Sequence, residues 1–263
     1  MSSLKRVNTI YRITDWLHYL GFALMGWAIK IPNIKISRFD FIFSVLIFPS
    51  LLLAYGYSLN DYFDKGEQKK YFLLPLVLST ILFPFLNFGQ ILVGVMFLVL
   101  VTFYSLKGIS LKKFPVIGTL TNTIGFMLIF MIGYTAKEGI TILGLVFFLL
   151  LGIYQTVAQL IHEKVHLESD IKFGRKTTAF YLEKTLPLFL RSMLLITIPL
   201  SLFLLLKTEF ILFSITCILF SLIFFAKLGK VDKEIRKTYK LGGLVVGLFF
   251  LLDYFFKPIS HLI

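Results

Sequence analysis

Apolar residues in this chain come in long unbroken runs, and the polar residues gather in the short gaps between them. A soluble helix would show apolar positions every three or four residues, and a half-buried strand would alternate. A helix needs roughly 20 consecutive apolar residues to cross a bilayer core. The pattern predicts nine such helices, near Ile13 to Ile29, Phe41 to Leu59, Tyr71 to Leu86, Phe88 to Ser105, Pro115 to Tyr134, Ile140 to Ile161, Thr185 to Leu206, Phe210 to Ala226 and Leu241 to Phe256. The first run has no small-residue cleavage site and is followed directly by further spans, so it reads as a retained helix. The expected fold class is therefore all-α: a polytopic membrane protein whose 263 residues form one transmembrane domain, with no linker or low-complexity tract to divide it.

Composition agrees, with 57% hydrophobic and 16% charged residues and a mean hydropathy of +0.86. The single Cys217 lies inside an apolar run, which excludes a disulfide framework and reads as a small buried hydrophobe. With the N-terminus inside, twenty of the 27 Lys and Arg residues fall in inner segments, six in outer ones, and Arg191 within a helix. That bias predicts an N-in, C-out protein of the cell membrane. The net charge of +13 is then mainly topological, and no nucleic-acid partner is needed to explain it.

The acids are uneven too. Asp61, Asp64 and Glu67 follow the second predicted helix, and Glu163, Glu168, Asp170 and Glu183 follow the sixth. The four-helix spacing suggests two related four-helix halves around a central cavity, with the ninth helix added. If the second helix continues through its cluster, Asp61 and Asp64 stand at i and i+3, and Asn60 and Asp64 at i and i+4, so their oxygens share a face. Clustered hard oxygens suit Mg²⁺, which takes one or two carboxylates plus waters and phosphate oxygens. The other reading is a solvated loop whose acids pair with Lys65, Lys69 and Lys70.

Three stretches in order carry a resemblance. Asn60-Asp61-Tyr62-Phe63-Asp64 is similar to an NDxxDxxxD motif, Tyr104-Ser105 with Leu111-Lys112 and Pro115 to a YS…LKxxP segment, and Asp170, Gly174 and Thr177 to Ala179 to an Asp-rich motif that ends in Gly and Thr-Thr-Ala. Together they resemble the UbiA superfamily of intramembrane prenyltransferases, of the 4-hydroxybenzoate polyprenyltransferase kind. The resemblance implies transfer of an isoprenoid chain from an isoprenyl diphosphate donor to an aromatic or other hydrophobic acceptor in the lipid bilayer. It implies Mg²⁺ as cofactor, with Asp61, Asp64 and Asp170 catalytic and Asn60, Asp61, Asp64, His166, Glu168 and Asp170 as metal ligands. Asn60, Tyr104, Lys112, Tyr154, Arg175 and Lys176 would meet the substrates, with Tyr62, Phe63, Tyr104 and Tyr154 as candidate π faces for an allylic cation. Each of these aromatics also reads as ordinary packing.

The chain departs from the pattern twice. Gln68 stands where the first motif has its last Asp, with Glu67 beside it, and His166 stands where the second motif begins. Imidazole is a poorer Mg²⁺ ligand than carboxylate, and on a regular helix Glu168 points about 200° away from His166.

His162-Glu163-Lys164-Val165-His166 is also literally H-E-x-x-H, which on a helix can bind Zn²⁺ and activate water given a third ligand. Intramembrane zinc proteolysis is thus one alternative, and a coincidental pattern in a charged interfacial segment is the plainer one. A small-molecule transporter is a third class, although most carboxylates lie at the inner edge and not at the midplane. Arg191 and Asp253 are the exceptions, read as able to pair or snorkel. The stretch from Lys227 to Lys240, with six basic residues beside Asp232 and Glu234, reads as a solvated or headgroup-binding loop.

Overall fold

A computed structural model of the protein describes residues 3–30, 41–137, 139–172, 176–229 and 231–256. Twelve helices carry the architecture among them: α1 (Ser3–Tyr11), α2 (Leu20–Lys30), α3 (Phe48–Lys65), α4 (Lys70–Ile81), α5 (Phe88–Ser105), α6 (Pro115–Tyr134), α7 (Ile142–Val165), α8 (Leu167–Lys172), α9 (Thr178–Tyr181), α10 (Leu186–Lys207), α11 (Ile211–Lys227) and α12 (Lys233–Phe255), besides a single α-helical turn at Ile13–Trp16 and a π-helical segment Ile42–Ile47 that leads into α3. No strand occurs among the described residues. Six helices there are long and apolar enough to cross a bilayer: Ile42–Lys65, Phe88–Ser105, Pro115–Tyr134, Ile142–Val165, Leu186–Lys207 and Lys233–Phe255. The surface is inverted relative to a soluble protein. Leu74, Phe88, Leu149, Leu222 and Leu244 face outward, while Ser58, Gln90, Thr197, Ser214 and Ser221 are buried.

The nine expected spans are therefore not all long helices. The first run breaks into a single turn at Ile13–Trp16 and a 3₁₀ turn at Leu17–Tyr19 before α2, whose 11 described residues reach only about half the bilayer core. The third run is cut to the 12 residues of α4, because a 3₁₀ turn at Phe83–Phe85 carries Pro84 and Asn87 then opens α5 with a capping box to Gln90. Two helices run past their apolar stretch. α3 continues to Lys65 and stops where Gly66 takes a φ of 72°. α12 begins at Lys233 because the Asp232 carboxylate accepts the amides of Glu234 and Ile235, so much of the expected Lys227 to Lys240 loop is helix.

The chain forms two compact units, Met1–Lys112 with Ile124–Ile140, and Lys113–Thr123 with Thr141–Ile263. In the first, α3 lies along α4 and α5. Tyr55, Leu59 and Phe72 form a core there, against which Tyr62, Phe63, Leu76, Leu98 and Val101 pack. Helices α2 and α6 meet backbone to backbone: a Cβ on Gly26 would lie 2.1 Å from the Phe130 carbonyl oxygen, and one on Gly133 would lie 1.9 Å from that of Ala23. Close approach through small residues is how helices gain packing energy where lipid is as apolar as leucine.

In the second unit, α7, α10, α11 and α12 bundle around Phe147, Phe210, Phe213 and Phe250. Arg191 and Asp253 do not pair with each other in this bundle; they occupy opposite ends of α11. The Asp253 carboxylate accepts the amides of Leu212 (3.1 Å) and Phe213 (2.7 Å), and the Arg191 Nε donates to the Phe225 carbonyl (2.9 Å). An anion at the N-terminus and a cation at the C-terminus both oppose the helix dipole and satisfy end groups that lipid cannot.

Candidate functional site

The acidic stretch of the first unit forms the last two turns of α3 and not a loop. Helical spacing places Asn60 and Asp64 on one face, and both oxygens meet the same cation: Lys112 Nζ donates to Asn60 Oδ1 at 2.8 Å and to Asp64 Oδ1 at 2.5 Å. Ser105 Oγ reaches Asn60 Oδ1 at 3.5 Å, so the end of α5 and the segment after it close on the cluster. Asp61 is only 5% exposed, yet its carboxylate lies 3.0 Å from Lys65 and 3.5 Å from Arg12. Of the three lysines the loop reading offered, Lys65 is the one that pairs with an acid among the described residues.

Arg12 is the residue that sequence reading missed, counted only among the topology charges. Its backbone is left-handed (φ 52°), unusual outside glycine, and this turns the chain between α1 and the turn that follows. Its guanidinium then bonds Asp15, lies 5.1 Å from the centre of the Tyr57 ring, and reaches Asp61. Burial disfavours its charge, but Asp15 and Asp61 more than offset this and hold its pKa above the ordinary arginine value.

An all-oxygen donor set in which two oxygens already converge on one cation fits Mg²⁺, with waters and phosphate oxygens filling its remaining positions. No complete cage of three His, Cys, Asp or Glu side chains exists among the described residues.

The second motif lies wholly in the second unit. Helix α7 carries His162 and Glu163 and ends at Val165; His166 sits at the break, and α8 carries Glu168 and Asp170. The regular-helix angle between His166 and Glu168 therefore does not apply. Arg236 Nη1 lies 3.1 Å from His166 Nε2. A guanidinium only donates, so Nε2 accepts and its lone pair is taken, which removes it as a metal ligand in this arrangement. Glu168 is exposed and Asp170 half-buried. Arg175 lies outside the described residues, and Lys176 sits with its ammonium 5.7 Å from the Phe180 ring centre.

Glu163 is 7% exposed and bonded on every side: it accepts from Thr119 Oγ1 (2.6 Å), Gln159 Nε2 (3.2 Å) and the Ala179 amide (3.2 Å), while Thr119 bonds Thr178. The Thr-Thr-Ala stretch is thus the start of α9, tied through Glu163 to α6 and α7. A carboxylate so occupied is a structural tether and has no room for the general-base role that the H-E-x-x-H reading needs. Tyr154 likewise takes the packing role: its hydroxyl bonds the Cys217 carbonyl and Ser221, and its own carbonyl accepts from Tyr239. In the first unit, Tyr62 packs on Phe63 and Phe72.

The fold is that of known proteins. A UbiA homolog from Archaeoglobus fulgidus superposes with a TM-score of 0.74 at 18% identity, over 94% of this chain and 98% of that one. The same archaeal homolog bound to GPP and Mg²⁺ gives 0.75 at 17% identity, over 94% and 99%. A structure of digeranylgeranylglyceryl phosphate synthase gives 0.77 at 18% identity, over 97% and 99%. No curated protein matches the sequence. The sequence model of the UbiA prenyltransferase family matches residues 66–241, more than half of the chain and including the whole second motif, so this protein belongs to the UbiA prenyltransferase family.

Proposed function

We propose that this protein is an intramembrane prenyltransferase that moves an isoprenoid chain from an allylic diphosphate to a hydrophobic or aromatic acceptor held in the bilayer. The observation that carries this reading is the convergence of Asn60 and Asp64 on one cation position beside buried Asp61, at the C-terminal end of a helix long and apolar enough to cross a bilayer. The archaeal homologs solved with GPP and Mg²⁺ and with DMAPP and Mg²⁺ support the donor class and the metal. Residues 1–263 act as one domain of nine spans, counting the broken first run and the two short apolar helices, with the N-terminus inside the cell membrane and the C-terminus outside.

Asn60, Asp61 and Asp64 hold Mg²⁺, and Asp170 and Glu168 are the carboxylates that the second motif offers. When bound, Mg²⁺ supplies the positive charge that a departing diphosphate needs. The chain's own residues do the rest. Lys112, released from Asn60 and Asp64, donates to the outer phosphate oxygens, and Lys176 and Arg175 serve as further charge partners. As the C–O bond breaks, the negative charge passes to the diphosphate and the positive charge to the allyl group. Tyr62, Phe63 and Tyr104 are the aromatic faces available to the cation, each worth roughly 0.5 to 2 kcal/mol.

The test incubates membranes containing the protein with labelled allylic diphosphates of several lengths and a panel of acceptors, with Mg²⁺ or a chelator. The expected result is metal-dependent transfer that falls roughly 10²- to 10³-fold in Asp61→Ala and in Asp64→Ala. Turnover indifferent to both substitutions overturns the reading.

A further inference from the structure

In the second unit, the break between α7 and α8 gathers basic side chains. Arg236, at the end of the first turn of α12, bonds His166 through Nη1, and its Nε is buried with no hydrogen-bond partner among the described residues. The His162 ring stands 4.6 Å from that of His166. Lys240 is one helical turn beyond Arg236 on the same face. No carboxylate lies within 4.0 Å of Arg236 among the described residues. Of the acids nearest in sequence, Glu163 turns to Thr119, Gln159 and Ala179, Asp232 caps α12, Glu168 is exposed, and Asp170 is half-buried on α8.

A buried guanidinium N–H without an acceptor, beside two imidazoles and an ammonium, has the chemistry of an anion site. Because Arg236 donates to His166 Nε2, the neutral imidazole carries its proton on Nδ1, so His166 also offers a donor. His166 stands where the resemblance calls for an aspartate, so the change replaces a metal-binding oxygen with phosphate-binding N–H groups. We infer that Arg236, His166, His162 and Lys240 form a phosphate-binding site that takes a phosphate group by direct charge-assisted hydrogen bonds, without a metal ion of its own. This rests on the transferase reading where the phosphate belongs to the donor diphosphate; an anionic lipid headgroup presents the same chemistry.

The experiment measures calorimetric binding of inorganic pyrophosphate to the full chain in phosphatidylcholine nanodiscs, in the presence of EDTA. Wild type is expected to bind. Arg236→Gln should weaken binding roughly 10- to 100-fold, with partial recovery in Arg236→Lys. His166→Asp, at an exposed position, should weaken it comparably by placing a carboxylate on Arg236, and its binding should recover when Mg²⁺ replaces the EDTA. Unfolding midpoints of all variants identify any that fail to fold, and His166→Asp keeps the test decisive if Arg236→Gln does. A parallel arm replaces part of the lipid with phosphatidylglycerol. Pyrophosphate binding that ignores these variants, together with phosphatidylglycerol binding that falls in them, assigns the site to headgroups. Neither ligand responding to Arg236→Gln or His166→Asp overturns the site. Turnover indifferent to Asp61→Ala and Asp64→Ala overturns the transferase reading alone and leaves Arg236-dependent pyrophosphate binding standing.

Discussion

Asp61 is the most buried carboxylate of the first motif, and its neighbours are two cations of different kinds. Lys65 is 58% exposed on its side chain and one turn away on the same helix, the geometry of a surface pair worth little. Arg12 comes from 49 residues away and is held in place by Asp15 and the Tyr57 ring. Since Arg12 and a metal ion would compete for the same carboxylate, Arg12→Gln is expected to lower the Mg²⁺ concentration for half-maximal transfer about two- to fivefold, the equivalent of an ion pair worth up to ~1 kcal/mol. Lys65→Gln should move it less. A Mg²⁺ titration of initial rates checks both, and a rise in Arg12→Gln would place its guanidinium on the diphosphate instead. These residues also mark how far the site was readable in the sequence. Asn60, Asp61 and Asp64 were legible because i, i+3 and i+4 spacing is a local property. Arg12 and Arg236 were not, because each acts on a side chain dozens of residues away and lies in a segment whose lysines and arginines have a sufficient explanation in topology.

At the scale of helices, the apolar pattern located α5 and α6 to the residue and failed where polarity or geometry set the boundary. α12 begins in a charged stretch because a helix needs hydrocarbon only for the part inside the bilayer, while Asp232 caps the part outside. The break before α2 left only a faint mark, since Asp15 and His18 are the acidic or basic residues in a run that otherwise continues apolar into α2 while the backbone changes. Arg191 and Asp253 were visible as anomalies, but their assignment needed the bundle: one carboxylate and one guanidinium close the two ends of α11, a helix of 17 residues. Asp253→Ala removes the acceptor for two amides and is expected to destabilise the protein by about 1 to 2 kcal/mol, with Asp253→Asn costing less because its amide oxygen still caps one of them. Reversible unfolding in mixed detergent micelles measures the difference. Equal stability of all three proteins would show that the Leu212 and Phe213 amides find another acceptor.

For the whole molecule, the distribution of charge makes the strongest claim and the most direct prediction. Lysine and arginine are retained on the cytoplasmic side during insertion, so short loops rich in them face inward. Lys107 is exposed in the segment that follows α5, the same segment whose Lys112 bonds Asn60 and Asp64, whereas Lys137 follows α6 in a loop with no other basic residue. A single helix separates the two, so a membrane must place them on opposite sides if α6 spans it. Native Cys217 is fully buried and gives a silent background for labelling. In intact cells, a membrane-impermeant maleimide should label Lys137→Cys and leave Lys107→Cys untouched until the membrane is permeabilised. The reverse pattern would put the Asn60–Asp64 cluster outside the cell. A soluble diphosphate made in the cytoplasm could not then reach Asp61 and Asp64 without crossing the bilayer, so the orientation bears on chemistry as well as topology. Adding Mg²⁺ and donor to sealed inside-out vesicles, with transfer expected there and absent from right-side-out ones, joins the two questions in one measurement.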